Sequence, residues 1–515
     1  MGVEPPPAQR RSLAINSLFS VMAWVFPILL GFISTPILVR NLGHEAYGLL
    51  AIVLGFISYS FTFGIGKIVG KYVPEFRADD EPEKVTEVVS GTFWLSLAIG
   101  VVGSAALMAA APFIVRDVLL ISPDSQQAAI YSLYLAGAVG LTIMLSQVFQ
   151  FVLQGLHRFD NYLALTNLSG LLLGGGNIVL AIYGFGVPAL MTWNLTVVSS
   201  VGFLFYLRAR RLLPSMKLVT RVSPGMTATI TRYAGNILLY QIFANVLFIF
   251  ERSWVMRKFG AEGLTYYFVP MLLATYMHGF IASLVQAVFP VVNETLKDRE
   301  RVAMLYRRAN KIILAIMIFT VTNFIAAGAL FLKLWVSPEV SAASYNLLIP
   351  HGLTFGLLGI GIMAFQLAEA FKFPALNVII TGSWMVLAIP AMIFAADIWQ
   401  SEGIAWARFT TALVTIPIVA YAERRFLGNV QWRFWCAVGV RVLLAAGLMA
   451  VVERLVLSSL NLDSYLSLVL AGTAGSLIFV GTLAATGFLT KEDREIIIRS
   501  LFRRRTIQKK PDIGS

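Results

Sequence analysis

The feature that most constrains this chain is a series of long apolar runs, which begins at residue 12 and continues almost to the C-terminus. A helix needs about 20 mostly apolar residues to cross the hydrocarbon core of a bilayer. On this criterion the sequence predicts fourteen spans, at residues 12–39, 45–69, 88–115, 127–154, 162–182, 185–207, 232–256, 263–290, 311–336, 345–370, 376–397, 403–422, 434–453 and 464–489. The chain is therefore expected to be an all-α polytopic membrane protein.

The composition supports this class. Hydrophobic residues make up 58% of the chain and charged residues 13%, whereas soluble domains carry roughly 45–50% apolar and about 25% charged residues. The single cysteine, Cys436, cannot form an internal disulfide. The composition thus argues against a soluble protein, a disulfide-stapled extracellular domain and a cysteine-based metal site.

The positive charges predict the orientation of the chain, because short cytoplasmic loops retain Lys and Arg. With the N-terminus inside, 31 of the 40 basic residues lie in inside segments and 6 in outside loops. This asymmetry predicts an even number of spans with both termini cytoplasmic. It also accounts for most of the net charge of +13 without a nucleic-acid partner.

Two pairs of similar segments indicate an internal repeat. PILVRNLGHEAYGLL follows the first span and SWVMRKFGAEGLTYYF the seventh, which aligns Arg40, Gly43 and Glu45 with Arg257, Gly260 and Glu262. LQGLHRFDNYL and LAEAFKFPALN form a second pair. Two copies of an even number of spans are related by an axis along the membrane normal and usually enclose a central path. The predicted divisions are a first lobe (1–215), a second lobe (216–430), two further spans (431–490) and a basic cytoplasmic tail (491–515).

The stretch FGIGKIVGKYVPEF, residues 63–76, superficially resembles a phosphate-binding loop, but it matches neither the P-loop nor the dinucleotide pattern. It is interpreted as the cytoplasmic end of the second span, with Pro74 ending the helix. Lys67 either extends to the interface beside Lys71 or turns inward as a cation for an anionic cargo.

Ionisable side chains within spans are costly and are candidates for function. The candidates for a substrate-binding cavity are Arg408, Arg252, Lys67, Arg441, Glu251, Glu369 and His278. For Glu251 and Arg252 the alternative is a pair formed with each other or contact with water, and Arg252 and Glu369 can also extend to the membrane interface. Arg441 either pairs within spans 13–14 or lines a groove for a lipid tail. His278 is either a proton-sensitive switch or a neutral hydrogen-bonded side chain.

Several chemical motifs are absent from the sequence. There is no Walker A motif, no H-E-x-x-H and no G-x-S-x-G, and the four histidines are scattered. We therefore expect no enzyme activity, no cofactor and no metal site. The sequence leaves the energy source open.

Three segments resemble bacterial polysaccharide flippases of the multidrug/oligosaccharidyl-lipid/polysaccharide (MOP) superfamily, the Wzx type that handles O-antigen. They are V-R-x-L-G-x-x-x-Y-G at 39–48, F-G-I-G-K-I-V-G-K-Y at 63–72 and Q-G-x-x-R-F-x-x-Y at 154–162. The resemblance extends from about residue 12 to residue 490. It implies two six-helix lobes in a MATE-like V shape that work by alternating access.

The resemblance also implies a cargo, a polyprenyl-diphosphate-linked oligosaccharide moved to the outer leaflet of the bacterial inner membrane. Membrane lipids and polysaccharide-assembly proteins are the further partners it suggests. A drug or metabolite exporter on the same fold is the first alternative, and a membrane-embedded glycan polymerase or ligase is the second. The exporter predicts a carboxylate inside the first lobe, and the polymerase predicts a large outside loop.

Overall fold

A computed structural model describes residues 26–61, 64–214, 216–296, 298–371, 373, 375–460 and 463–488. The helices are α1 (Phe26–Leu42), α2 (His44–Ser60), α3 (Lys67–Ala78), α4 (Pro82–Phe113), α5 (Pro123–Gly155), α6 (Phe159–Ile182), α7 (Val187–Leu212), α8 (Pro224–Glu294), α9 (Arg299–Trp335), α10 (Pro338–Ser344), α11 (Leu348–Ala370), α12 (Ala375–Ala412), α13 (Thr415–Ala422), α14 (Trp432–Leu460) and α15 (Tyr465–Ala485). A π-helical turn, Ile114–Val118, extends α4, and another, Glu423–Leu427, extends α13. The predicted basic tail, 491–515, lies outside the described residues.

Two of the helices contain a reversal and hold two spans each. In α8 the backbone leaves helical geometry at Gly260, and the Tyr267 hydroxyl reaches Glu251, 16 residues earlier. A straight helix would separate residues this far apart by roughly 24 Å, so the chain must turn back. In α12 the same occurs at Trp399–Gln400. Of the described helices, 10 are long and apolar enough to cross a membrane. Because α8 and α12 each hold two spans, these ten helices supply twelve spans. Helices α1 and α2 bring the total to the fourteen that are predicted.

The second predicted span differs from the expectation of one continuous helix. Helix α2 ends at Ser60, and α3 begins at Lys67 after Gly64, which has φ of 64°. The prediction that Pro74 ends the helix is wrong, because α3 continues through it to Ala78. A proline removes one backbone hydrogen bond, and the buried side chains of α3 hold the rest of the helix against its neighbours.

The two pairs of similar segments have matching backbone geometry. Gly43 and Gly260 adopt left-handed φ values of 82° and 71°, a region in which glycine carries no steric cost. Segments 153–158 and 368–373 each close with a hydrogen bond from the last N–H to the first carbonyl, at 2.9 and 2.7 Å. The two pairs of similar segments therefore contain equivalent turns.

Helix packing places the main contact between the first half (α1–α7) and the second half (α8–α13) along α2 and α8. We call this contact the seam. Within the first half α5 packs on α4 and α7, and within the second half α11 packs on α8 and α9. Helices α14 and α15 pair with each other and lie against α9, where Val442, Met449 and Phe479 form a separate apolar cluster.

Candidate functional site at the seam

A buried ion pair lies inside the second half. The guanidinium of Arg408 in α12 donates to the carboxylate of Glu251 in α8, and both side chains have 0% exposure. The Tyr267 hydroxyl donates to the other Glu251 oxygen at 2.5 Å. A buried charge is tolerated when it is paired and hydrogen-bonded. These three side chains form a charge-neutral cluster, in which Nε and Nη2 of Arg408 have no hydrogen-bond partner.

Aromatic rings surround Arg408. Its guanidinium carbon lies 4.6 Å from the ring centroid of Phe248, 4.9 Å from that of Phe355 and 5.6 Å from that of Trp384. The faces of aromatic rings attract cations. Arg408, for which the sequence predicts a cavity role, thus sits in packed interior in this conformation, and its guanidinium does not contact solvent.

Arg252, the next residue after Glu251, points to the seam instead. It is 7% exposed, and its guanidinium lies over the rings of Tyr59 and Phe268 at 4.9 and 4.5 Å. Its Nη2 donates to the Tyr59 hydroxyl at 3.4 Å, while its Nε has no hydrogen-bond partner. A Cβ on Gly55 of α2 would lie 2.8 Å from Nη1, so the glycine makes room for the arginine.

No Asp or Glu in the described part of the chain forms an ion pair with Arg252. It is a buried cation with unused donor capacity, held by a hydroxyl and two ring faces. A stack of rings links it to the ion pair, because Tyr59 stacks on Phe248 at 5.0 Å with an interplanar angle of 6°, and Phe248 contacts Arg408 in turn.

Lys67 in the first half and Glu369 in the second half lie near the end of the seam that is predicted to be cytoplasmic. Lys67 is exposed and begins α3, immediately after the break in the second span. It interacts electrostatically with Glu369 and with Tyr233. Discontinuous helices commonly mark substrate sites in transporters.

The remaining two candidates lie away from the seam cations. The His278 ring hydrogen-bonds through Nδ1 to the Phe355 carbonyl at 3.1 Å, and the two rings are in edge contact at 5.9 Å. Arg441 donates to the Gly487 carbonyl at 3.4 Å, which links α14 to the end of α15. Within the described residues, no group of three His, Cys, Asp or Glu side chains is arranged to hold a metal ion.

Sequence reasoning did not identify Tyr59, Phe248 or Tyr267 as part of the site. The chain is 12% aromatic, so an aromatic residue in a span carries no distinguishing signal. Their importance follows only from their position beside Arg252, Glu251 and Arg408.

Comparison with known proteins gives the class of the chain. A sequence model of the family described as "Polysaccharide biosynthesis protein" matches residues 13–296. No curated protein sequence matches.

Solved structures share the fold at low sequence identity. The lipid II flippase MurJ in an inward closed conformation has a TM-score of 0.72 at 13% identity, covering 93% of this chain and 99% of its own. An inward-facing multidrug resistance MATE family transporter of the MOP superfamily has a TM-score of 0.64 at 18% identity. The match covers 79% of this chain and 98% of the transporter. A third structure is a MOP superfamily transporter from Pyrococcus furiosus, for which a reversed polarity of the binding pocket is described. It has a TM-score of 0.61 at 16% identity, and the match covers 81% of this chain and 95% of that transporter. These similarities establish the all-helical MOP fold.

Proposed function

Because the chain belongs to the polysaccharide biosynthesis protein family, we propose that it is a flippase for a polyprenyl-diphosphate-linked oligosaccharide. It works by alternating access in the bacterial plasma membrane, with both termini cytoplasmic, and supplies surface polysaccharide synthesis. The fold shared with a lipid II flippase supports a lipid-linked cargo. Family and fold both favour a transporter over an enzyme.

The observation that carries the proposal is Arg252 on the seam. A diphosphate is strongly anionic and does not enter hydrocarbon without a counter-charge. The planar guanidinium matches phosphate oxygens with a fixed fork of donors. Arg252 is buried, has an unused Nε donor and lacks a carboxylate partner among the described residues. We assign it to the diphosphate.

Lys67 is the second cation of the proposed site. Its exposed side chain lies near the end of the seam predicted to face the cytoplasm, within electrostatic range of Glu369 and Tyr233 in the second half. In the proposal Lys67 attracts the diphosphate first and Arg252 receives it deeper in the seam. Glu251 and Arg408 hold α8 and α12 in place without touching the cargo.

The exporter alternative is less favoured by the placement of the carboxylates. Among the described residues the buried acidic side chains are Glu251, Glu423 and Glu453, and all of them follow residue 223. An exporter with a carboxylate inside the first half would need one in α1–α7.

The test is lipid analysis of a strain from which the gene is deleted. We expect lipid-linked glycan to accumulate on the cytoplasmic leaflet and surface polysaccharide to be lost, with both restored by the wild-type gene but not by R252Q. Normal surface polysaccharide in the deletion strain contradicts the proposal. Drug efflux in a pump-deficient host tests the exporter in the same strains.

A further inference from the structure

Arg40 and Arg257 hold equivalent positions in the two similar segments, and each one binds the opposite half. Arg40, at the end of α1, donates from Nε to the Val336 carbonyl at 2.6 Å and from Nη2 to the carbonyls of Leu334 and Trp335 at 3.0 and 3.1 Å. These carbonyls belong to the second half. Arg40 thus links the first half to the end of α9.

Arg257 makes the reciprocal connection. Its Nη1, in the second half, donates to the carbonyls of Asp117 and Val118 in the first half at 2.5 and 3.0 Å. Asp117 and Val118 end the π-helical turn that extends α4. Helices α4 and α9 are the third spans of the two halves, so the acceptors are equivalent as well as the donors.

The chemistry of the acceptors suits arginine. The last carbonyls of a helix lack intrahelical partners and carry the negative end of the helix dipole. A guanidinium there satisfies several of these carbonyls at once and adds a favourable charge interaction. The two reciprocal contacts therefore hold the halves together at the end of the molecule that is predicted to lie outside, which we call the outer end (residues 40–44, 114–122, 257–262 and 334–347).

The rest of the V-R-x-L-G-x-x-x-Y-G segment supports this contact. Gly43 turns the chain from α1 into α2 with its left-handed φ. A Cβ on Gly48 would lie 1.8 Å from the Ala261 carbonyl oxygen, so only glycine permits this approach of the halves. Thr265, which aligns with Gly48 in the repeat, donates to the His44 carbonyl at 2.5 Å.

We propose that Arg40 and Arg257 form a two-fold pair of clasps that closes the outer end, and that both must open for cargo to leave. The second part rests on the proposed function. Both arginine side chains are exposed, so water can replace the carbonyls when the halves separate. The buried Glu251–Arg408 pair has no such replacement. The clasp arginines are positioning residues and do not contact the cargo.

The experiment measures the opening of the outer end without cargo. Cys436 is the single cysteine and is exposed, so C436A gives a background for spin labels at Asn41 and Glu339, exposed positions in the first and second halves. Double electron–electron resonance on the full chain in lipid nanodiscs then reports the distance across the outer end.

We expect R40Q/R257Q to shift the distance distribution towards longer values. R116Q is the matched control, because Arg116 is an exposed arginine beside Asp117 for which no bond to the second half is described; it should leave the distribution unchanged. If R40Q/R257Q and the parent have the same distribution, the clasp is refuted. If the double variant does not fold, R40Q and R257Q are measured as single variants. An unchanged distance distribution in both of them also refutes the clasp.

The outcome is separable from that of the proposed function. Normal surface polysaccharide in the deletion strain refutes the flippase and leaves the distance measurement standing. Accumulated lipid-linked glycan together with an unchanged distribution refutes the clasp and leaves the flippase standing. A cleavable cross-link between the two labelled positions connects the clasp with transport. It should hold the outer end closed and block transport until it is cleaved.

Discussion

Glu251 and Arg408 form an ion pair from which solvent is excluded at both side chains. The residues lie 157 positions apart and join the seventh and twelfth spans. Removing one partner of such a pair leaves an uncompensated buried charge, which costs about 3–5 kcal/mol of folding free energy.

We therefore expect E251Q and R408Q each to lower the midpoint of thermal unfolding in detergent and to reduce the amount of protein in the membrane. The double variant E251L/R408M replaces the pair with apolar side chains, and it should be more stable than either single variant. If E251L/R408M is no more stable than E251Q or R408Q, the losses of the single variants do not come from a buried charge left without its partner.

Arg252 offers a test of cargo binding that is separate from stability. R252Q and R252K should fold like the parent, because no described carboxylate depends on Arg252. Hydrogen bonds to charged groups contribute about 1.5–3 kcal/mol, so we expect R252Q to weaken cargo binding by roughly tenfold to hundredfold. R252K keeps the charge but loses the planar fork and should be intermediate. Surface polysaccharide and binding of lipid-linked glycan are the measurements.

Y59F is the control for this prediction. It removes only the hydroxyl that accepts from Arg252 at 3.4 Å and keeps the ring on which the guanidinium lies. Transport should remain near the parent level. Full transport by R252Q would exclude Arg252 from the cargo site.

The contrast between residues 251 and 252 shows where sequence reasoning stops. Their adjacency suggests a pair with each other, but neighbouring residues on a helix point about 100° apart. Glu251 therefore meets Arg408 in the interior, and Arg252 meets Tyr59 on the seam. Apolar run length is enough to predict each span, whereas the faces that meet depend on contacts between distant segments.

The broken second span has a similar explanation. Its apolar content predicts a span, and α2 forms the first part of the predicted range. Gly64, with its positive φ, lies in the interruption, and its sequence context resembles that of the glycines that follow it. The reciprocal bonds of Arg40 and Arg257 were likewise not predictable, although the repeat identified both residues as equivalent.

Two neighbouring glycines in α6 should respond differently to the same substitution. A Cβ on Gly176 would lie 1.9 Å from Nε1 of Trp193, whose N–H donates to the Leu172 carbonyl at 2.8 Å. G176A should lower the free energy of unfolding by about 1–3 kcal/mol through overpacking. G175A meets nothing within 4 Å and should gain up to about 1 kcal/mol from helix propensity. Equal unfolding midpoints for the two variants would contradict this packing.

Glu453 and Glu423 are buried carboxylates with opposite environments. Glu453 in α14 has 0% exposure, and neither of its side-chain oxygens has a hydrogen-bond partner. Glu423 accepts from the Gln431 backbone N–H at 2.9 Å and from Trp435 Nε1 at 2.8 Å. An unsatisfied buried polar group costs about 1–3 kcal/mol. E453L should therefore raise the unfolding midpoint, while E423L should lower it by leaving both donors unpaired.

A transport measurement on E453L distinguishes an effect on stability from an effect on function. If Glu453 only costs stability, E453L should transport as well as the parent, because neither side-chain oxygen of Glu453 has a hydrogen-bond partner. A folded E453L protein that no longer transports would contradict a purely structural carboxylate. It would place a functional group in the two spans that lie outside the repeat.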